Sequence, residues 1–288
     1  MFKKEGHIQF QNFKTFYKIF GKPTTNKVPL LVLHGGPGSG HNYLLPLAEL
    51  AEKGQQIVFY DQLGCGESSA SEDRHDWSIN LFIAELNELR IQLGLEKINL
   101  LGHSWGGMLA IEYILSKPSG INKLVLSSSM ISIPLYQREV DKLKQKLPNF
   151  TGSILEKHEK AGSTDSREYE EAYDVYMKHH LFRGEEFPKE YTNSNRAKGQ
   201  SVYKKMWGAS EAFADGDLKN WNRIDDLAEI DTPTLIVSGQ YDELTPWQAA
   251  LTRDKIPNSQ LKIFTNASHL APVEVKDEYL SVIREFLG

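Results

Sequence analysis

The chain has 288 residues, 40% of them hydrophobic and 25% charged, which fits one large α/β domain or one domain with an insertion and excludes wholesale disorder. Lys and Arg number 33 against 38 Asp and Glu, a formal net charge of −5, so no basic surplus exists to neutralise nucleic-acid phosphates. The lone cysteine, Cys65, cannot close an intrachain disulfide and suits a reducing compartment.

Met1 to His7 lack the apolar run of a signal peptide. No apolar run approaches the roughly 20 residues that cross a bilayer. The expectation is a cytoplasmic protein that engages neither membrane nor nucleic acid. Ile8 and Phe10, then Phe16, Tyr17, Ile19 and Phe20, form two short β-rich runs separated by Gln11 to Thr15, a β-ribbon. Leu30 to Leu33 is a continuous apolar run of the kind buried on both sheet faces. A helix over Tyr43 to Ala51 and a strand over Gln56 to Tyr60 follow. Leu81, Phe82, Leu86, Leu89 and Leu93 make one stripe of a helix over Ser78 to Leu93. Ile98 to Leu101 reads as a strand, Trp105 to Leu115 as a helix and Leu124 to Leu126 as a strand. This alternation implies a mostly parallel sheet with helices on both faces.

The rhythm breaks near Ser129. From Ile131 to Arg223 the sequence is polar and has no buried-strand run. Helical patterns cover Leu135 to Leu147, Ile154 to Lys160 and Arg167 to His180. Such a stretch is too long for a structureless loop. It predicts a helical lid over residues 131–223, inserted into a core of residues 1–130 and 224–288. The α/β rhythm resumes with strands at Thr234 to Ser238 and Leu261 to Phe264, a helix at Trp247 to Lys255 and a closing helix at Val273 to Leu287.

Gly102-His103-Ser104-Trp105-Gly106-Gly107 contains G-x-S-x-G between a buried strand and an apolar helix. A sharp strand-to-helix turn there pushes a serine hydroxyl out of the sheet, and the tight backbone demands glycine around it. Ser104 is therefore the expected nucleophile rather than part of a plain glycine turn. A serine needs a base, and the base needs an orienting acid. In this arrangement the acid and then the histidine follow the nucleophile along the chain. His269 is the only histidine beyond position 180, on the loop after the strand ending at Phe264. Asp242 follows the strand Thr234 to Ser238. Both sit at carboxyl ends of strands, where open α/β sheets place their sites. Asp225, Asp226 and Asp231 are rival acids, but they precede that strand. The expected triad is Ser104, Asp242 and His269.

His34-Gly35-Gly36-Pro37-Gly38 follows the strand Leu30 to Leu33. The N–H groups of Gly36 and Trp105 are the expected oxyanion donors. A phosphate loop would need a Lys and a Ser or Thr after the last glycine, and Gly40-His41-Asn42 supply neither. Asp61-Gln62-Leu63-Gly64-Cys65-Gly66 reads as a buttress of the active-site edge, with Cys65 a packing residue. No metal site is expected: a helix points His179 and His180 to different faces, and no H-E-x-x-H occurs.

Together these motifs, with Gly239-Gln240-Tyr241-Asp242-Glu243, Met206-Trp207-Gly208-Ala209-Ser210-Glu211 and Gly216 to Trp221, resemble those of the proline iminopeptidases (prolyl aminopeptidases) of the α/β-hydrolase fold, the tricorn-interacting aminopeptidase among them. The resemblance implies a cofactor-free serine aminopeptidase releasing N-terminal residues, preferentially proline, from short peptides with a free N-terminus. It further implies that Glu211 and Glu243 hold the substrate ammonium. The chain departs from the family's usual Gly-Pro-Ser-Glu-Phe: it reads Gly208-Ala209-Ser210-Glu211-Ala212-Phe213. An amino-acid amidase or esterase of broader specificity is the alternative.

Overall fold

The computed structural model describes residues 3–68, 76–196 and 199–288; Met1 and Phe2 of the leading segment lie outside that range. Eight strands form one sheet: β1 (Lys3–Phe10), β2 (Phe13–Phe20), β3 (Leu30–Leu33), β4 (Ile57–Tyr60), β5 (Ile98–His103), β6 (Ile121–Ser127), β7 (Thr234–Gly239) and β8 (Ser259–Phe264). Their spatial order is β1-β2-β4-β3-β5-β6-β7-β8. β1 and β2 pair antiparallel, as do β2 and β4, and the other pairs are parallel. The expected ribbon is present, with its turn tightened to Gln11 and Asn12. The chain order reverses around β3, and Gly36, Ser104, Asp242 and His269 follow the carboxyl ends of β3, β5, β7 and β8.

The central strands explain their apolar runs. Leu31, Leu33, Val58, Tyr60 and Leu100 face one core, while Leu30, Val32, Ile57, Phe59 and Leu101 face the other. Successive side chains point to opposite faces, so a strand covered on both sides is apolar throughout. On the first face pack α1 (Ile79–Leu93), through Phe82, Leu86 and Leu89, and α2 (Trp105–Leu115), through Met108, Leu109 and Ile111. Ser78 caps α1, its side chain accepting from the Leu81 N–H.

Between β6 and β7 lie α3 (Ile133–Lys144), α4 (Thr151–Ala161), α5 (Arg167–His180), α6 (Lys189–Arg196) and α7 (Gln200–Met206). α8 (Pro246–Lys255) joins β7 to β8. The expected helix over Tyr43 to Ala51 is a 3₁₀ run, His41–Lys53, with Pro46 inside it; proline lacks the N–H and its ring opposes α-helical continuation. The expected closing helix is two, α9 (Ala271–Glu274) and α10 (Lys276–Leu287), parted at Val275 with φ −129°. The short α9 aims the Glu274 carboxylate back at the loop after β8, where it accepts from the Ser268 N–H at 2.7 Å.

Candidate active site

Ser104 follows β5 and opens α2, with φ 56° and ψ −124°. A serine pays strain there, and its neighbours must be small. A Cβ at Gly106 would strike the Leu33 and His34 carbonyls, one at Gly107 the Ser129 side chain, and one at Gly102 the Gly106 carbonyl. The elbow glycines are thus set by close approach, of backbone at Gly102 and Gly106 and of the Ser129 side chain at Gly107.

Asp242 and His269 meet from the loops after β7 and β8. His269 Nδ1 donates to Asp242 Oδ1 at 2.9 Å. Asp242 also accepts from the Leu244 N–H at 2.9 Å and from Ser238 Oγ at 3.1 Å. Burial disfavours the Asp242 charge, but His269, chiefly, and the Leu244 N–H outweigh it and hold the carboxyl below its usual value. The rival Asp226 is spent on Arg223, 3.1 Å away. Burial likewise opposes a charged His269, yet Asp242 and Glu243 raise its imidazole to about 9.

One pocket brings Ser104, His269, Gly36 and Glu211 together. A wider surface groove beside Arg90 holds none of them, and that guanidinium is committed to the carbonyls of Leu95, Glu96 and Ser119. A Cβ on Gly35 would lie 3.1 Å from that of Ser104, so the glycine loop runs beside the elbow. Gly36 has φ 118°, a region open to glycine. Among the described residues the N–H groups of Gly36 and Trp105 donate to no other group of the protein. For Trp105 this follows from its place in the first helical turn.

Asp61 and Gln62 tie these loops together. Asp61 Oδ1 accepts from the His41 N–H at 2.8 Å and from His41 Nδ1 at 2.7 Å. Gln62 donates to the His34 carbonyl at 2.9 Å and accepts from Trp105 Nε1 at 2.8 Å. Cys65 Sγ is buried, bonded to the Ser39 and Gln62 carbonyls, and burial pushes its thiol well above the usual value. It lies 3.5 Å from His34 Nε2, but that nitrogen accepts the Gln62 N–H, so it is no base for the thiol.

Glu243 is fully buried. Its Oε2 accepts from the Tyr176 hydroxyl at 2.9 Å. Its Oε1 lies 3.8 Å from His269 Nδ1 and has no hydrogen-bond partner among the described residues. Burial pushes this carboxyl up, and the neighbouring Glu211 and Asp242 add to the rise. A buried carboxyl oxygen without a partner among the described residues is rare and is open to a hydrogen-bond donor.

Sequence comparison then places the chain. The family model for the alpha/beta hydrolase fold matches residues 28–274. A proline iminopeptidase of Clostridium botulinum is 39% identical over 287 residues, covering 99% of this chain and 98% of the relative. Among solved structures, VinJ superposes with a TM-score of 0.95 at 32% identity, over 99% of this chain and 98% of that one. Proline iminopeptidase from Mycobacterium smegmatis gives 0.92 at 32% identity, over 99% and 97%. The chain belongs to the proline iminopeptidase family of α/β hydrolases.

The departure from the usual family segment has a local reason. Ala209 stands where the family places proline, and its N–H donates to Asp215 Oδ1 at 3.0 Å, a bond that proline cannot make. Ala212 is buried, and the half-buried Phe213 does not line the cavity. Tyrosines surround Glu211 instead. Its carbonyl accepts from the Tyr136 hydroxyl at 2.7 Å, its N–H donates to the Tyr173 hydroxyl at 3.3 Å, and its carboxylate is bonded by Tyr203. The motifs do not single these residues out. Only Tyr173 carries a signal, a stripe on α5 in which Tyr169, Tyr173 and Tyr176 fall at helical spacing, their rings stacked 6.0 and 6.3 Å apart.

Proposed function

We propose that this chain is a serine aminopeptidase that releases N-terminal residues, preferentially proline, from short peptides in the cytoplasm. The observation that carries the reading is Glu243 Oε1, without a hydrogen-bond partner among the described residues and 3.8 Å from His269 Nδ1, with Glu211 lining the same pocket as Ser104. The similarity to proteins named proline iminopeptidase over nearly the full chain supports it.

In the proposed mechanism His269, oriented by Asp242, takes the proton of Ser104, which attacks the carbonyl of the first residue. The N–H groups of Gly36 and Trp105 stabilise the oxyanion, each worth about 3 kcal/mol in the transition state. His269 protonates the departing amine. Water, activated by the same imidazole, then hydrolyses the acyl-enzyme. Glu211 and Glu243 hold the free ammonium and so fix the scissile bond one residue from the chain end. Residues 131–223 act as a cap on a core of residues 1–130 and 224–288, admitting short peptides and excluding folded ones. Every step uses groups of the chain itself.

The test compares aminoacyl arylamides with free and acetylated amino termini. A hydrogen bond to a charged group contributes about 1.5–3 kcal/mol, so acetylation is expected to lower kcat/KM by roughly 100-fold or more. Glu211→Gln is expected to raise KM for the free amine by about tenfold or more. Equal turnover of free and acetylated substrates defeats the aminopeptidase reading.

A further inference from the structure

His103, the residue before the elbow serine, makes a chain of hydrogen bonds that none of the roles above requires. Its Nε2 lies 2.9 Å from the backbone carbonyl of His269. Its Nδ1 lies 2.9 Å from the Tyr43 hydroxyl. That hydroxyl also receives the Gly35 N–H at 2.7 Å. The directions are forced. A carbonyl only accepts, so Nε2 carries the proton. In a neutral imidazole Nδ1 then accepts, and the Tyr43 hydroxyl gives its single proton to it. The oxygen left over takes the Gly35 N–H. Every donor and acceptor in the chain is used.

Three loops meet in this chain: the glycine loop after β3, the elbow after β5 and the loop after β8 that carries His269. The His103 and His269 rings also pack edge to face, with centroids 4.8 Å apart. We propose that Tyr43 and His103 form a positioning relay, which holds the His269 loop and the glycine loop in register with Ser104. Both side chains are buried. Burial drives the His103 imidazole down to about 3, which keeps it neutral as the relay requires. A buried network of this kind is rigid only when every member is satisfied.

The relay rests on Ser104 and His269 being nucleophile and base, a reading that falls if Ser104→Ala retains ester hydrolysis. Its own test uses p-nitrophenyl acetate, which has no amine and needs neither glutamate. Tyr43→Phe and His103→Phe are each expected to lower kcat by about tenfold or more, with KM changed less than about twofold. The double variant is expected to lose no more than about threefold beyond the weaker single variant, far short of the product of the two losses, because both break one unit. Nitrogen-15 NMR of the wild-type protein is expected to show His103 neutral with the proton on Nε2. Protonation on Nδ1, losses confined to KM, multiplicative losses or unchanged kcat overturn the proposal. Should His103→Phe fail to fold, Tyr43→Phe and the wild-type tautomer still decide it.

Discussion

His269 shows how one side chain answers to several neighbours at once. Burial alone would make it a weaker base than a free imidazole, yet the Asp242 and Glu243 carboxylates raise it to about 9. A serine hydrolase needs the neutral form, so the acid limb of the rate profile should lie above 6.5, the ordinary value. The free enzyme is expected to hydrolyse p-nitrophenyl acetate faster as pH rises from 7 towards about 9, and Glu243→Gln should move that limb downward by removing one raising charge. A limb at or below 6.5 contradicts the electrostatics. Ser104, Asp242 and His269, the proposed triad, were readable from the string of letters as residues that follow the carboxyl ends of strands, as the structure places them. Tyr43 was not, because its partners Gly35 and His103 come from separate strand ends and only the closed sheet brings His103 to His269, 166 positions further on.

At the scale of elements, α5 contributes a ladder of stacked tyrosines, and its last member reaches across to Glu243. Tyr176→Phe keeps the ring and removes one hydroxyl. Leaving a buried carboxylate without that donor is expected to cost about 1–3 kcal/mol, read as a lower urea midpoint with an unchanged slope. An unaltered midpoint would mean that Glu243 finds another donor. α5 was legible from its periodicity, as were the strands with continuous apolar runs. α6 and α7 were not: Lys189–Arg196 is almost wholly polar, and its placement comes from tertiary contact. There the Tyr43 N–H donates to Ser194 Oγ at 3.2 Å, and the Tyr43 and Tyr191 rings lie 6.4 Å apart. The 3₁₀ run and the break at Val275 were equally hidden, since Pro46 and the Ser268–Glu274 bond act through geometry that periodicity does not encode.

For the molecule as a whole, buried imidazoles set the pH window. Burial lowers His34 to about 4 and His103 to about 3 from an unfolded value of 6.5. Between those limits the unfolded chain binds more protons, so stability falls as pH drops below 6.5. At pH 5 each group is expected to have forfeited about 2 kcal/mol. His269 works in the opposite sense: its raised value contributes stability that is complete below 6.5 and lost as pH climbs through about 9. Urea unfolding at pH 5, 7 and 9 should find the maximum at the middle value, and a protein as stable at pH 5 as at pH 7 would refute the burial argument. Glu211 is gripped by Tyr136, Tyr173 and Tyr203, all from the stretch between β6 and β7, whereas Glu243 follows Asp242, the proposed triad acid, on the other side of that stretch. If the proposed ammonium clamp holds, a chimera that grafts this helical stretch onto a foreign hydrolase would inherit half of it, unless the host already carries an acidic residue directly behind its own catalytic aspartate.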